Sequence, residues 1–142
     1  MTLKKILVPI DGSPPALKAV AQGADLARRT GAAITLLYVY DSSVVAMMGL
    51  SASNGKAVDD AVERVSKTNL DAAKASIAPD LVVTTESRIG HPAEEICLYA
   101  EAGDFDMIVI GSRGMSPAKS FLVGSVSARV ARHAPCSVLV VR

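Results

Sequence analysis

A chain of 142 residues, half of them apolar, has the length of one domain and ample material for a core, which excludes intrinsic disorder. Fifteen Lys and Arg against fourteen Asp and Glu leave a formal charge of +1, so no basic excess points to nucleic acid or an anionic membrane. Aromatic residues make up only 4%, with no Trp, too few for a base-stacking platform.

Leu3 to Ile10 is β-branched and nearly continuous in its second half, as expected of a strand buried on both faces. Its apolar run is too short for a secretory leader, stopping at Pro9 and Asp11. Ser13-Pro14 offers a helix cap followed by proline at the first helical position, and Leu17, Val20, Ala24 and Ala27 mark one helical face ending at Gly31. Ile34 to Tyr40 reads as a second buried strand. Ser42 to Gly55 carries no charge and is rich in Ser, Gly and Met; it is expected to be a long, mobile loop. A second helix is predicted from about Val58, with Val62, Val65, Leu70, Ala73 and Ile77 as its apolar face.

Leu81 to Ile89 alternates polar and apolar residues, the pattern of an edge strand. Gly90-His91-Pro92 opens a third helix that stops at Gly103, and Met107 to Ile110 is a fully apolar strand. A last helix is predicted from Ser125, with Arg129, Arg132 and His133 toward its negative end before Pro135. Ser137 to Val141 closes the chain as a fifth strand. No stretch of 18 apolar residues spans a membrane. Two cysteines, Cys97 and Cys136, fall short of a disulfide framework, and the expected setting is the reducing cytoplasm. The whole, residues 1–142, is expected to be a single domain.

Strands alternating with helices predict an α/β fold with a parallel sheet. Placing the third strand at an edge and the first and fourth centrally gives a three-layer, open five-stranded sheet of order 3-2-1-4-5 with four helices. In such sheets ligands sit beyond the carboxyl ends of the strands where the winding reverses, here between Ile10 and Ile110. Asp11-Gly12-Ser13 follows the first of these strands. Gly111-Ser112-Arg113-Gly114 follows the second, and Gly124-Ser125 stands at a helix start. Glycines let backbone N–H groups approach a phosphate, and a helix N-terminus adds about half a positive charge. The same residues also suit a plain strand-to-loop turn and a helix cap, Asp11 suits an Asx turn, and Arg113 suits a solvated rim.

Other site chemistries lack their residues. No Gly-x4-Gly-Lys-Ser/Thr loop, Gly-x-Gly-x-x-Gly fingerprint or Gly-x-Ser-x-Gly elbow occurs, and His91, His133, Cys97 and Cys136 lack zinc-ligand spacing. His133 suits a helix C-terminus and Cys97 a core position.

Gly111-x2-Gly114-x9-Gly124-Ser125 resembles the nucleotide signature of the ATP-binding branch of the universal stress protein family. The resemblance extends over the chain, through Lys4 to Ser13, Leu36 to Asp41 and Ala134 to Val141. It implies an adenine-nucleotide α-hydrolase-like fold and a site for ATP with Mg²⁺. By that resemblance Pro9 and Asp11 border the adenosine, Asp11 facing the ribose or a phosphate-bound metal, and Val39 meets adenine through its backbone. Gly111, Gly114, Gly124, Ser125 and Val126 would surround the triphosphate and ribose, with Arg113 inside the phosphate loop. The implied function is a small nucleotide-binding stress-response protein with slow or no hydrolysis, since no base is evident to position water. Two other readings are a dimeric interaction scaffold with a vestigial site and an adenylating enzyme, for whose acceptor pocket 142 residues leave little room. Val138, Leu139, Val140 and Val141 form an apolar edge strand without Lys or Pro, so a homodimer through that strand is expected.

Overall fold

The computed structural model describes residues 2–47, 55–113 and 124–142. Five strands, β1 (Lys5–Ile10), β2 (Ala33–Asp41), β3 (Val83–Gly90), β4 (Met107–Gly111) and β5 (Ser137–Val141), form one sheet. Every neighbouring pair is parallel, and the order is β3-β2-β1-β4-β5, as the sequence predicts. Alternation along the strands splits the core in two. Ile6, Val8 and Ile10 of β1 point to one face, with Ile34 and Leu36 of β2 and with helices α1 (Pro14–Thr30) and α3 (Gly55–Ala75). Leu7, Leu37, Ile108 and Ile110 point to the other, under α4 (Pro92–Ala102) and α5 (Ser125–His133).

The helix ends follow local chemistry. Ser13 caps α1, its Oγ accepting from the Ala16 N–H at 3.4 Å, and Gly31 closes the helix in the left-handed region at φ 75°. Pro92 stands in the first turn of α4, with Glu94 and Glu95 beside it at the positive end.

Four expectations change. The described residues contain five helices, not four, because Ser42–Met47 forms α2 where a loop was expected. Its physical reason is Asp41, whose Oδ1 accepts from the Ser43 N–H at 2.9 Å and the Ser43 hydroxyl at 2.7 Å, a helix-capping arrangement. Residues 48–54, the rest of that expected loop, lie outside the described residues. Helix α3 begins at Gly55, not near Val58. On its inner face Val65 is only half-buried, and Ser66 is the buried residue, 2% exposed with an Oγ that finds no hydrogen-bond partner. On α1, Leu17 is 45% exposed; the buried stripe runs through Ala16, Ala19, Val20, Gly23, Ala24 and Ala27.

The amino end of the sheet is held by Asp106, whose Oδ2 accepts from the N–H groups of Lys4 and Lys5, both at 2.9 Å. These two bonds hold its carboxyl below the ordinary 3.8. A carboxylate whose folded value is depressed stabilises the fold above the unfolded value, and loses that contribution as pH falls through the folded one. Wild-type protein is therefore expected to exceed Asp106→Asn in stability at neutral pH. Denaturant titrations repeated down the acid range should show the gap narrowing below 3.8; a gap independent of pH would remove Asp106 from this role. Among the described residues no helix is long and apolar enough to cross a membrane.

Candidate functional site

The site begins with a proline. The Ala33 N–H bonds the Lys4 carbonyl, while the Asp106 N–H bonds the Lys5 carbonyl. Backbone polar groups alternate sides along a strand, so Lys5, Leu7 and Pro9 turn theirs toward β4. Pro9 has no N–H, and the missing donor falls on the β4 side. Accordingly β1 pairs with β2 through Ile10↔Tyr38, but with β4 only at Ile6↔Met107 and Leu7↔Ile108. The β1–β4 ladder therefore ends at Leu7, and beyond it the carboxyl ends of the two central strands flank the crevice that such a sheet leaves at its switch point.

Asp11 stands exposed at one rim of this crevice. Its Oδ1 accepts from the Ser13 N–H at 2.9 Å and from the Ser13 hydroxyl, so the Asx turn expected of this segment is present. Oδ1 alone makes these bonds, and Oδ2 is not used in the turn. Gly12 takes φ 84°, a conformation that favours glycine. The negative charge of Asp11 reaches the Tyr38 phenol, which burial, then Tyr40, then Asp11 push above its ordinary value.

The opposite rim is assembled from the end of β4 and the start of α5. The Gly124 N–H donates to the Ser112 carbonyl at 2.6 Å, and the Ser127 hydroxyl donates to the Gly111 carbonyl. Gly124 is the N-cap of α5 and contributes no side-chain oxygen, so the N–H groups of the first turn receive no side-chain cap. Ser125 is exposed and Val126 half-buried against the α4/α5 core. Arg113 is exposed beyond β4, and Gly114 lies outside the described residues.

Gly111 is buried, and its lack of a side chain has a packing reason. A Cβ there would lie 2.8 Å from the Pro15 carbonyl oxygen and 2.9 Å from its carbon. Backbone cannot move aside as a side chain would, so Gly111→Ala should push α1 off β4 and cost about 1–3 kcal/mol. Urea denaturation would read this as a lower midpoint with an unchanged slope; an unchanged midpoint would show that α1 yields freely.

Val39 sits one step past the last β1–β2 pair, with its backbone groups on the β1 side by the same alternation. Pro9, Asp11, Val39, Gly111, Gly124 and Ser125 thus share the carboxyl end of the sheet, on both sides of its switch point. The sequence reading missed Ser112, Ser127 and Tyr38. Ser127 had a signal in its spacing, three positions before the apolar Val130 on one helical face, and the structure buries both, Ser127 to 3% exposure. His133 is exposed in the last turn of α5. Cys97 and Cys136 are free, half-buried thiols, and burial pushes both above their ordinary value. Among the described residues no group of three His, Cys, Asp or Glu is arranged to hold a metal.

A doubly wound parallel sheet whose switch point is flanked by an acid and a glycine-capped helix defines an α/β protein of the class that binds ligands at the carboxyl ends of its strands. The family model of the universal stress protein family matches residues 2–142, and the chain belongs to that family. It is 33% identical to universal stress protein MJ0531 of Methanocaldococcus jannaschii, over 98% of this chain and 82% of that protein. Universal stress protein UspA from Lactobacillus plantarum has a TM-score of 0.72 and 31% identity, covering 100% of this chain and 99% of that one. A universal stress protein in complex with cAMP shares the fold at a TM-score of 0.70 and 24% identity, covering 100% of this chain and 98% of its own.

Proposed function

We propose that this chain, a single cytoplasmic domain over residues 1–142, binds an adenine nucleotide, ATP with Mg²⁺, in the crevice between β1 and β4. The observation that carries the reading is that the β1–β4 pairing stops before Pro9, at the same end of the sheet as the glycine-capped start of α5. The first-turn N–H groups of α5 suit the phosphates, and Ser125 adds an exposed hydroxyl. Val39 offers its backbone to the base. That a universal stress protein of the same fold is in complex with cAMP supports adenine as the base.

The donor set fits a metal that arrives with the nucleotide better than a resident one, since Asp11 is the acid at this rim and no metal cluster occurs among the described residues. Mg²⁺ would neutralise part of the triphosphate charge, with the second carboxylate oxygen of Asp11 directed to it or to the ribose. Gly111, Ser112, Gly124 and Ser125 carry no general base, so turnover is expected to be slow. The protein then acts as a nucleotide-dependent regulator, at most a weak ATPase.

Mass spectrometry of nucleotide released from purified protein, calorimetry with ATP and a turnover assay test this together. Bound ATP with negligible turnover supports the proposal; rapid release of AMP favours an adenylating enzyme. No binding at millimolar ATP favours the second reading, a dimeric scaffold with a vestigial site. One observation favours that alternative: packing against Pro15 accounts for Gly111 without any ligand.

A homodimer through β5 belongs to the same proposal. The Ser112 N–H bonds the Val141 carbonyl, so Val141 and Leu139 turn their backbone groups toward β4. Val138 and Val140 turn theirs to the open edge, where an antiparallel second copy would satisfy them.

A further inference from the structure

We propose that Asn69, on α3, is a positioning residue for Asp11 and hence for the adenine-nucleotide site, an inference that rests on the function proposed above. Two of the anchors of the Asp11-Gly12-Ser13 turn are local, the bonds from the Ser13 N–H and hydroxyl to Asp11 Oδ1. The third comes from a different element. A Cβ on Gly12 would lie 2.4 Å from Asn69 Oδ1, 3.2 Å from Cγ and 3.8 Å from Nδ2. The Asn69 amide therefore occupies the space a side chain at Gly12 would need.

The amide is itself held. Its Nδ2 donates to the Val65 carbonyl at 3.0 Å, which directs Oδ1 at the turn. Leu70 and Ala73, buried in the α1/α3 core, fix the helix that carries it. Asparagine is a poor residue for a helix interior, and within α3 its side chain only bonds back to the Val65 carbonyl one turn earlier. Its contact is with Gly12, whose left-handed conformation aims Asp11 out of β1 and Ser13 into α1. With the amide in place the turn has no room to relax on the α3 side, and the carboxylate stays at the rim of the crevice. Asn69 lies 57 positions after Gly12 in the chain, so the link is purely tertiary.

Two double-mutant cycles test this. The first measures ATP affinity by calorimetry for wild type, Asn69→Ala, Asp11→Asn and the double variant. Asn69→Ala is expected to weaken ATP on the order of tenfold, the scale found when a residue orienting another ligand group is lost. In the Asp11→Asn background, where the turn no longer places a charge, the same substitution should cost little. A residue that merely supports the scaffold would cost the same in both backgrounds, and that result overturns the proposal, as does an unchanged affinity in Asn69→Ala. The second cycle needs no nucleotide. Gly12→Ala should lower the melting temperature less in the Asn69→Ala background than in wild type, and equal losses would show that the amide does not confine the turn. Wild-type protein that binds no ATP overturns the functional proposal and this one together. Binding without coupling to Asn69 overturns this one alone.

Discussion

Gly124→Asp is expected to leave the fold intact and to cut ATP affinity on the order of a hundredfold or more. The backbone at this position, φ −60° and ψ 159°, is open to any residue, and the N–H that bonds Ser112 survives the substitution. Aspartate is moreover a better N-cap than glycine, so α5 should gain rather than lose stability, by about a few tenths of a kcal/mol. The loss falls on the ligand. The new carboxylate takes the first-turn N–H groups that the phosphates would use, and it stands as a like charge beside them. Two such charges about 4 Å apart repel by about 4 kcal/mol at an effective dielectric near 20. Thermal melting and calorimetry on the same sample would show the two effects with opposite sign. Unchanged ATP affinity would take the start of α5 out of the site, whereas a collapsed fold would mean that Gly124 is required for structure.

The second large effect is on assembly. Leu139→Lys should turn a dimer into a monomer with little damage to the protomer. Leu139 is 37% exposed in the middle of β5, while Val138 and Val140 pack into the α4/α5 core and Val141 into the other. Lysine at Val140 would disturb that core as well as the interface, which makes Leu139 the cleaner position. Antiparallel pairing of two β5 edges about a twofold axis brings the two copies of the strand centre close together, and like charges directly opposite are destabilising. Sedimentation over a range of concentrations would register the change as a loss of the heavier species. A wild-type protein that is monomeric at micromolar concentration would remove the interface altogether.

The places of β3 and β4 were readable because a central strand buried on both faces shows an unbroken apolar run, whereas a half-exposed edge strand alternates. Met107 to Ile110 and Val83 to Gly90 are of these two kinds, and they occupy those places. Strand β5, apolar from Val138 to Val141 yet at the other edge, does not follow that rule. Ser13-Pro14, Gly31 and Pro92 likewise announced helix ends, since capping is a matter of a few neighbouring residues. Asp41 carried the same kind of signal for α2, but the uncharged run behind it hid a short helix inside an expected loop.

Packing distance was not readable in this way. Helical period shows that α1 has an apolar face, but not how closely the sheet will approach it. The large Leu17 was expected inside, yet apart from Val20 the buried stripe is made of Ala and Gly. A Cβ on Gly23 would lie 2.8 Å from Val8 Cγ2, so at that position the sheet comes too close even for a methyl group. The site divides along the same line. Its position at the switch point, and the residue types Asp11, Gly111 and Gly124, follow from local composition and strand order. Which neighbour Pro9 fails to bond, why Gly111 has no room for a methyl group, and how Asn69 confines Gly12 depend on which backbone is brought against which. Those contacts join segments far apart in the chain, where no local periodicity records them, and tertiary packing alone brings them together.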